Sequence, residues 1–93
     1  MERRKLTHEE ITEHLAEIAG WNFEDEKLQK RFEFKDFAES LAFVNRISEI
    51  AEAADHHPDI TFGWGYALVT TTTHDRDGVT DMDIDLASKI DGL

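Results

Sequence analysis

Apolar residues follow two periods along the chain, one helical and one of strand type. Thr7-His8-Glu9-Glu10 fits a capping box, with Leu6 and Ile11 placed around it as a hydrophobic staple. Ile11, Leu15 and Ile18 then share a helical face, which predicts a helix over 8–19 that stops at Gly20. Trp21 to Phe23 predicts a short strand, and the polar run Glu24 to Lys27 a turn. Leu28, Phe32 and Phe34 alternate with Gln29, Arg31, Glu33 and Lys35, the period of a half-buried strand. Phe37, Leu41, Val44, Ile47, Ala51 and Ala54 form one apolar stripe, predicting a helix over 37–54 that buries that stripe. Pro58 disfavours helical geometry at His57, so this helix must end before it.

Ile60 to Trp64 predicts a strand, Gly65-Tyr66 a tight turn, and the β-branched run Ala67 to His74 a further strand. Asp75 to Gly78 is a loop, and Thr80-Asp81-Met82-Asp83 caps a last helix over 81–91, with Val79 and Ile84 as a second staple. The order α-β-β-α-β-β-α predicts an α+β fold, a four-stranded antiparallel sheet with three helices packed on one face. No repeat or linker divides the chain, so residues 1–93 read as a single domain.

Composition narrows what such a domain does. Twenty-one acidic against ten basic residues give a formal charge of −11, spread along the chain. That surface repels phosphate backbones and argues against a nucleic-acid partner. No cysteine is present, which removes disulfides, thiol nucleophiles and thiolate-bound metals. The basic start Met1 to Lys5 has no apolar run after it, and no stretch is long and apolar enough for a membrane helix, so a cytoplasmic location without membrane attachment is expected. A chain of this length buries only about 60–65% of its unfolded surface. Self-association would add to that core.

Three of the five histidines gather at element ends. His56 and His57 follow the long helix, and His74 ends the last strand. Glu52 lies four residues before His56, which on a continuing helix sets it beside that ring as an orienting carboxylate. Asp83, in the first turn of the last helix, is a second carboxylate able to face the group. Histidine gives and takes protons near neutrality, so several without a serine or cysteine nucleophile point to dehydration or isomerisation. The plainer alternative is a turn in which His56 caps the helix and His57 is solvated. His8 and His14 read as surface residues. Trp21, Trp64 and Tyr66 are flat enough to stack on a ring, with Trp21 read first as a core residue. Zinc is not expected, because the side chains of adjacent histidines diverge.

The segment Glu52-Ala53-Ala54-Asp55-His56-His57-Pro58, with Thr73-His74 following, resembles the signature of the pterin-4a-carbinolamine dehydratases. Gly20-Trp21, Phe32-Glu33-Phe34-Lys35-Asp36-Phe37 and Asp83-Ile84-Asp85-Leu86-Ala87 resemble other landmarks of that family, so the likeness runs over about 20–90. Ile60 and Met82 depart from the family's usual residues. The resemblance implies catalytic His56, His57 and His74, a pterin pocket completed by Glu52, Pro58, Thr72, Thr73 and Asp83, no cofactor, no metal and a homodimer or homotetramer. Thr72 and Thr73 would hold the pterin edge mainly through backbone groups. The implied reaction eliminates the 4a-hydroxyl of a tetrahydropterin as water, leaving a quinonoid dihydropterin. In that chemistry His56 and His74 form the acid–base pair, His57 binds and polarises, and Glu52 orients His56. Two other functions stay open: handling of a molybdopterin-type pterin, and a non-catalytic dimerisation or binding module.

Overall fold

The computed structural model describes residues 4–93; the first three residues of the basic start lie outside the described residues. The elements are α1 (His8–Leu15), β1 (Asn22–Glu24), β2 (Lys27–Glu33), α2 (Phe37–Ala54), β3 (Asp59–Gly63), β4 (Tyr66–Thr71), a one-turn 3₁₀ helix (His74–Arg76) and α3 (Asp81–Asp91). The four strands form one antiparallel sheet in the order β1-β2-β4-β3. The architecture is therefore the α+β arrangement with three α-helices that the sequence pattern predicts.

Alternation assigns the two sheet faces. Leu28, Ala67 and Val69 are buried together with Ile11, Ile47, Leu86 and Ile90 of the helices. On the opposite face Gln29 Nε2 donates to Thr70 Oγ1 at 3.0 Å, and the Arg31 guanidinium stacks 4.5 Å from the Tyr66 ring. Among the described residues, no helix is long and apolar enough to cross a membrane.

The first helix closes as its capping box dictates. Thr7 Oγ1 accepts from Glu10 N–H at 3.1 Å, and Glu10 Oε1 accepts from Thr7 N–H at 2.9 Å. The helix ends at Leu15, four residues earlier than predicted. Shorter-range bonds from Ala16 N–H to Glu13 and from Glu17 N–H to His14 tighten its last turn. Ile18 stays buried beyond the helix, and Gly20, at φ 86°, turns the chain into β1.

Arg4 donates to both carboxylate oxygens of Glu10, at 2.9 and 2.8 Å. With the Thr7 backbone bond, this holds the Glu10 carboxyl down to about 2. A depressed carboxyl contributes stability above its unfolded pKa and loses it as pH falls through the folded value. The melting temperature should therefore fall as pH drops from about 4.5 towards 2, and Glu10→Gln should flatten part of that slope. Thermal scans of both proteins across this range check it.

Two details differ from the sequence pattern. The β3–β4 turn is Trp64-Gly65, not Gly65-Tyr66, because Tyr66 is retained in β4 opposite Gly63 and Glu33. Gly65 takes φ 80° there, and Trp64 is left 72% exposed at the hairpin tip. In α2 the buried residues are Ser40, Phe43, Ile47 and Ala51, while Phe37 and Leu41 are 48% and 40% exposed. The inward face is rotated because Phe43 packs on Phe32 and Phe34, with centroids 4.7 and 5.0 Å away. Ser40 tolerates burial because its hydroxyl donates to Asp36 O at 3.1 Å.

Candidate active site

Helix α2 ends at Ala54 because Asp55 adopts the left-handed conformation, φ 51° and ψ 43°. His56 N–H then donates back to Ala51 O at 3.1 Å, a helix-closing bond that turns the next side chains away from the helical path. This break decides the pairing of the two rings. Glu52 Oε2 bonds to His57 Nε2, not to His56, and both side chains of that pair are exposed. The expected Glu52–His56 contact would need helical geometry through residue 56.

His56 turns inward instead. It is 6% exposed, and its Nε2 lies 2.6 Å from Asp83 Oδ1. Asp83 has no exposed surface and takes up three further hydrogen bonds. Thr71 Oγ1 donates to Oδ1 at 2.6 Å, Thr73 Oγ1 to Oδ2 at 2.8 Å, and Thr80 N–H to Oδ2 at 2.9 Å. A carboxylate so surrounded is an acceptor, so His56 Nε2 carries the hydrogen and Nδ1 is the nitrogen left free for other partners. Asp83 was expected to bind substrate directly. It is fully buried behind His56 and is not among the residues that line the histidine cavity.

Strand parity explains the threonines. Thr71 and Thr73 point to the helix side and meet Asp83, while Thr72 points the other way and donates to Glu26 O at 2.8 Å. The Thr73 backbone is already committed: its N–H donates to Gly78 O at 2.9 Å, and its carbonyl accepts from Arg76 and Gly78. Those two groups are therefore not free to hold a ligand edge. Strand β4 ends at Thr71, and His74 opens the one-turn helix beyond it.

His56, His57 and His74 line a single open cavity of about 330 Å³ with Asp55, Thr72, Thr73 and Asp75. Sequence reasoning had named five of these seven residues. Pro58 lies apart from them, in a smaller cavity of about 170 Å³ that Val44, Ile60 and the His57 flank also line. None of the three aromatic candidates lines the histidine cavity. Trp21 is buried, with its indole N–H on the Asp91 carboxylate at 3.1 Å. Thr71 and Thr80 were not expected in the constellation. The alternation of the Thr70–Thr73 run and the Thr80–Asp83 capping box were the signals that could have placed them.

Residues 4–93 match the family model for pterin 4 alpha carbinolamine dehydratase. The chain belongs to that family. A relative from Sulfurisphaera tokodaii, provisionally named a pterin-4-alpha-carbinolamine dehydratase, is 42% identical over 97% of each chain. One from Picosynechococcus, with the same provisional name, is 47% identical over 96% of this chain and 97% of its own. Among solved structures, a transcriptional coactivator/pterin dehydratase from Brucella melitensis superposes with a TM-score of 0.91 at 35% identity, covering 96% of this chain and 97% of the other. A pterin dehydratase-like protein identified as a RuBisCO assembly factor in the alpha-carboxysome superposes with a TM-score of 0.64 at 25% identity, covering 77% and 83%. Within the family frame, the departures Ile60 and Met82 both fall outside the residues lining the histidine cavity.

Proposed function

We propose that the protein dehydrates 4a-hydroxytetrahydropterins by histidine acid–base catalysis. The observation that carries this reading is the convergence of three histidines on one cavity, one of them fixed from behind by a buried carboxylate. Hydroxide is a poor leaving group, so an acid must protonate the 4a-oxygen as the C4a–O bond breaks. The N5 lone pair drives the departure, and a base removes a proton from a ring nitrogen. In this reading Asp83 holds His56 in one tautomer, with Nδ1 as its reacting atom, and His74, which lines the same cavity, is the second proton-transfer group. His57, steadied by Glu52, binds and polarises the ring. Thr72 and Thr73 contribute to the wall, and the proposal gives Pro58 no contact with the ring.

A non-catalytic role like that of the carboxysome assembly factor would not need this arrangement. The molybdopterin-type reading would use the same histidine cavity. The test is direct. Purified protein added to a freshly generated 4a-hydroxytetrahydropterin should speed the appearance of quinonoid dihydropterin well beyond the spontaneous rate. EDTA should leave that acceleration unchanged, since no metal takes part. A rate equal to the spontaneous one contradicts the reading, and a rate abolished by EDTA and restored by zinc contradicts its metal-free chemistry.

The same reading includes a homodimer or homotetramer with no other macromolecular partner. Phe37 and Leu41, four residues apart on α2, are exposed apolar side chains that an interface would cover. Light scattering at micromolar concentration should give a multiple of the chain mass, and Leu41→Asp should shift it towards the monomer. A wild-type protein that is monomeric throughout contradicts this expectation.

A further inference from the structure

Two of the three cavity histidines have their rings held by carboxylates. Asp83 bonds to His56, and Glu52 to His57. Among the described residues, no side chain bonds to the His74 ring, which is therefore placed through its backbone alone. That backbone is the short loop between Thr73 and Gly78. Thr73 N–H donates to Gly78 O at 2.9 Å, Gly78 N–H to Thr73 O at 3.4 Å and Asp77 N–H to His74 O at 3.2 Å. These bonds give the loop its shape, but its position beside the cavity depends on what grips its two stems.

Glu26 touches both stems. On the entering side its carbonyl accepts from Thr72 Oγ1 at 2.8 Å. On the leaving side its carboxylate lies against Gly78: a Cβ on that glycine would stand 3.1 Å from Glu26 Oε2 and 2.7 Å from Lys5 Cε. Lys5 crosses Gly78 because the next residue, Leu6, is buried and donates its N–H to Val79 O at 2.8 Å. Lys5 Nζ then pairs with Glu26 Oε2 at 3.5 Å. Oε2 is shielded from solvent and makes no hydrogen bond, so solvent cannot replace what Lys5 and Gly78 supply there. His8 bonds to Oε1 at 2.9 Å but is 70% exposed, so water can take its place.

The backbone of Glu26 is strained. Asp25 and Glu26 form the two-residue turn between β1 and β2, at φ 51° and 61°. Asparagine and glycine suit such positions, and a glutamate stays left-handed only where its surroundings hold it. We propose that Glu26 is a positioning residue for His74, holding the β1–β2 turn against both stems of the loop and so fixing where the imidazole stands. The assignment rests on the dehydratase reading and adds to it a residue that does not line the histidine cavity.

Glu26→Asn separates this role from fold stability. Asparagine tolerates the left-handed backbone and keeps the carbonyl that Thr72 uses, but is too short to fill the space beside Gly78. The melting temperature should match or exceed that of the wild type, because the turn is eased and only exposed pairs are lost. The kcat for a 4a-hydroxytetrahydropterin should fall about tenfold, part of the ~10²-fold that loss of the imidazole costs, with KM within about twofold. Glu26→Gln restores the length and should recover most of that loss. The deciding comparison uses His74→Ala, which retains His56 and so a measurable rate. In that background Glu26→Asn should change kcat by less than about twofold, because a residue that acts through His74 has nothing left to position. In NMR spectra of the ring nitrogens, the His74 resonances of Glu26→Asn should shift while those of His56 stay. Gly78→Ala, which drives Lys5 and Glu26 off the loop stem, should reproduce the kinetic pattern, and it carries the test if Glu26→Asn melts too low to assay. Equal losses from Glu26→Asn with and without His74, or full activity of the variant beside an active wild type, would overturn the positioning role and leave the dehydratase reading standing. A wild type no faster than the spontaneous reaction would overturn both.

Discussion

Asp83→Ala should lower the melting temperature by on the order of 15 °C, the largest stability effect of any single substitution at the site. The carboxylate is fully buried and accepts from His56, Thr71, Thr73 and the Thr80 backbone. Removing it strands four donors where water cannot readily replace it. Breaking a buried pair from one side costs about 3–5 kcal/mol, a large share of the ~5–15 kcal/mol that holds a domain folded. Asp83→Asn keeps the shape but turns an amide donor towards groups that are themselves donors, so it should cost less than alanine yet remain clearly destabilising. The asparagine variant should also lose turnover at temperatures where it is still folded, because nothing then fixes the His56 tautomer. A melting temperature within 2–3 °C of wild type for Asp83→Ala, a shift well under the ~4–8 °C expected per kcal/mol, would show the network to be energetically idle.

The second large effect concerns rate. His56→Ala and His74→Ala should each reduce kcat by about 10²-fold or more with a smaller change in KM, since a proton-transfer group acts mainly in the transition state. His57→Ala should instead raise KM, because its ring lines the cavity while remaining exposed and paired with a solvated Glu52. His8→Ala and His14→Ala serve as controls, since neither residue lines the cavity. Circular dichroism of each variant separates a lost proton donor from a collapsed α2 terminus. Equal effects at His57 and His56 would overturn the division of roles.

Much of the fold was legible because local and tertiary signals agree. The long helix runs over the residues its pattern marks, and both capping boxes close as written. Its inward face was misread because Phe43 lies outside the regular stripe, and only the sheet reveals the aromatic partners that draw it in. At the site, sequence named the three histidines but mispaired the carboxylates. An i,i+4 rule assumes an unbroken helix, and left-handed Asp55 breaks it one residue before His56. The role of Asp83 was hidden for a different reason. Its donors come from β4, the Thr80 cap and the α2 exit, which only tertiary structure assembles.

The most direct measurement is stopped-flow dehydration of a 4a-hydroxytetrahydropterin by the wild type and by a folded His56→Ala/His74→Ala double variant. The wild type should accelerate water loss strongly, and the double variant should return the rate close to the spontaneous one. Near-wild-type acceleration by the double variant, with an unchanged circular dichroism spectrum, would contradict histidine acid–base catalysis in this cavity.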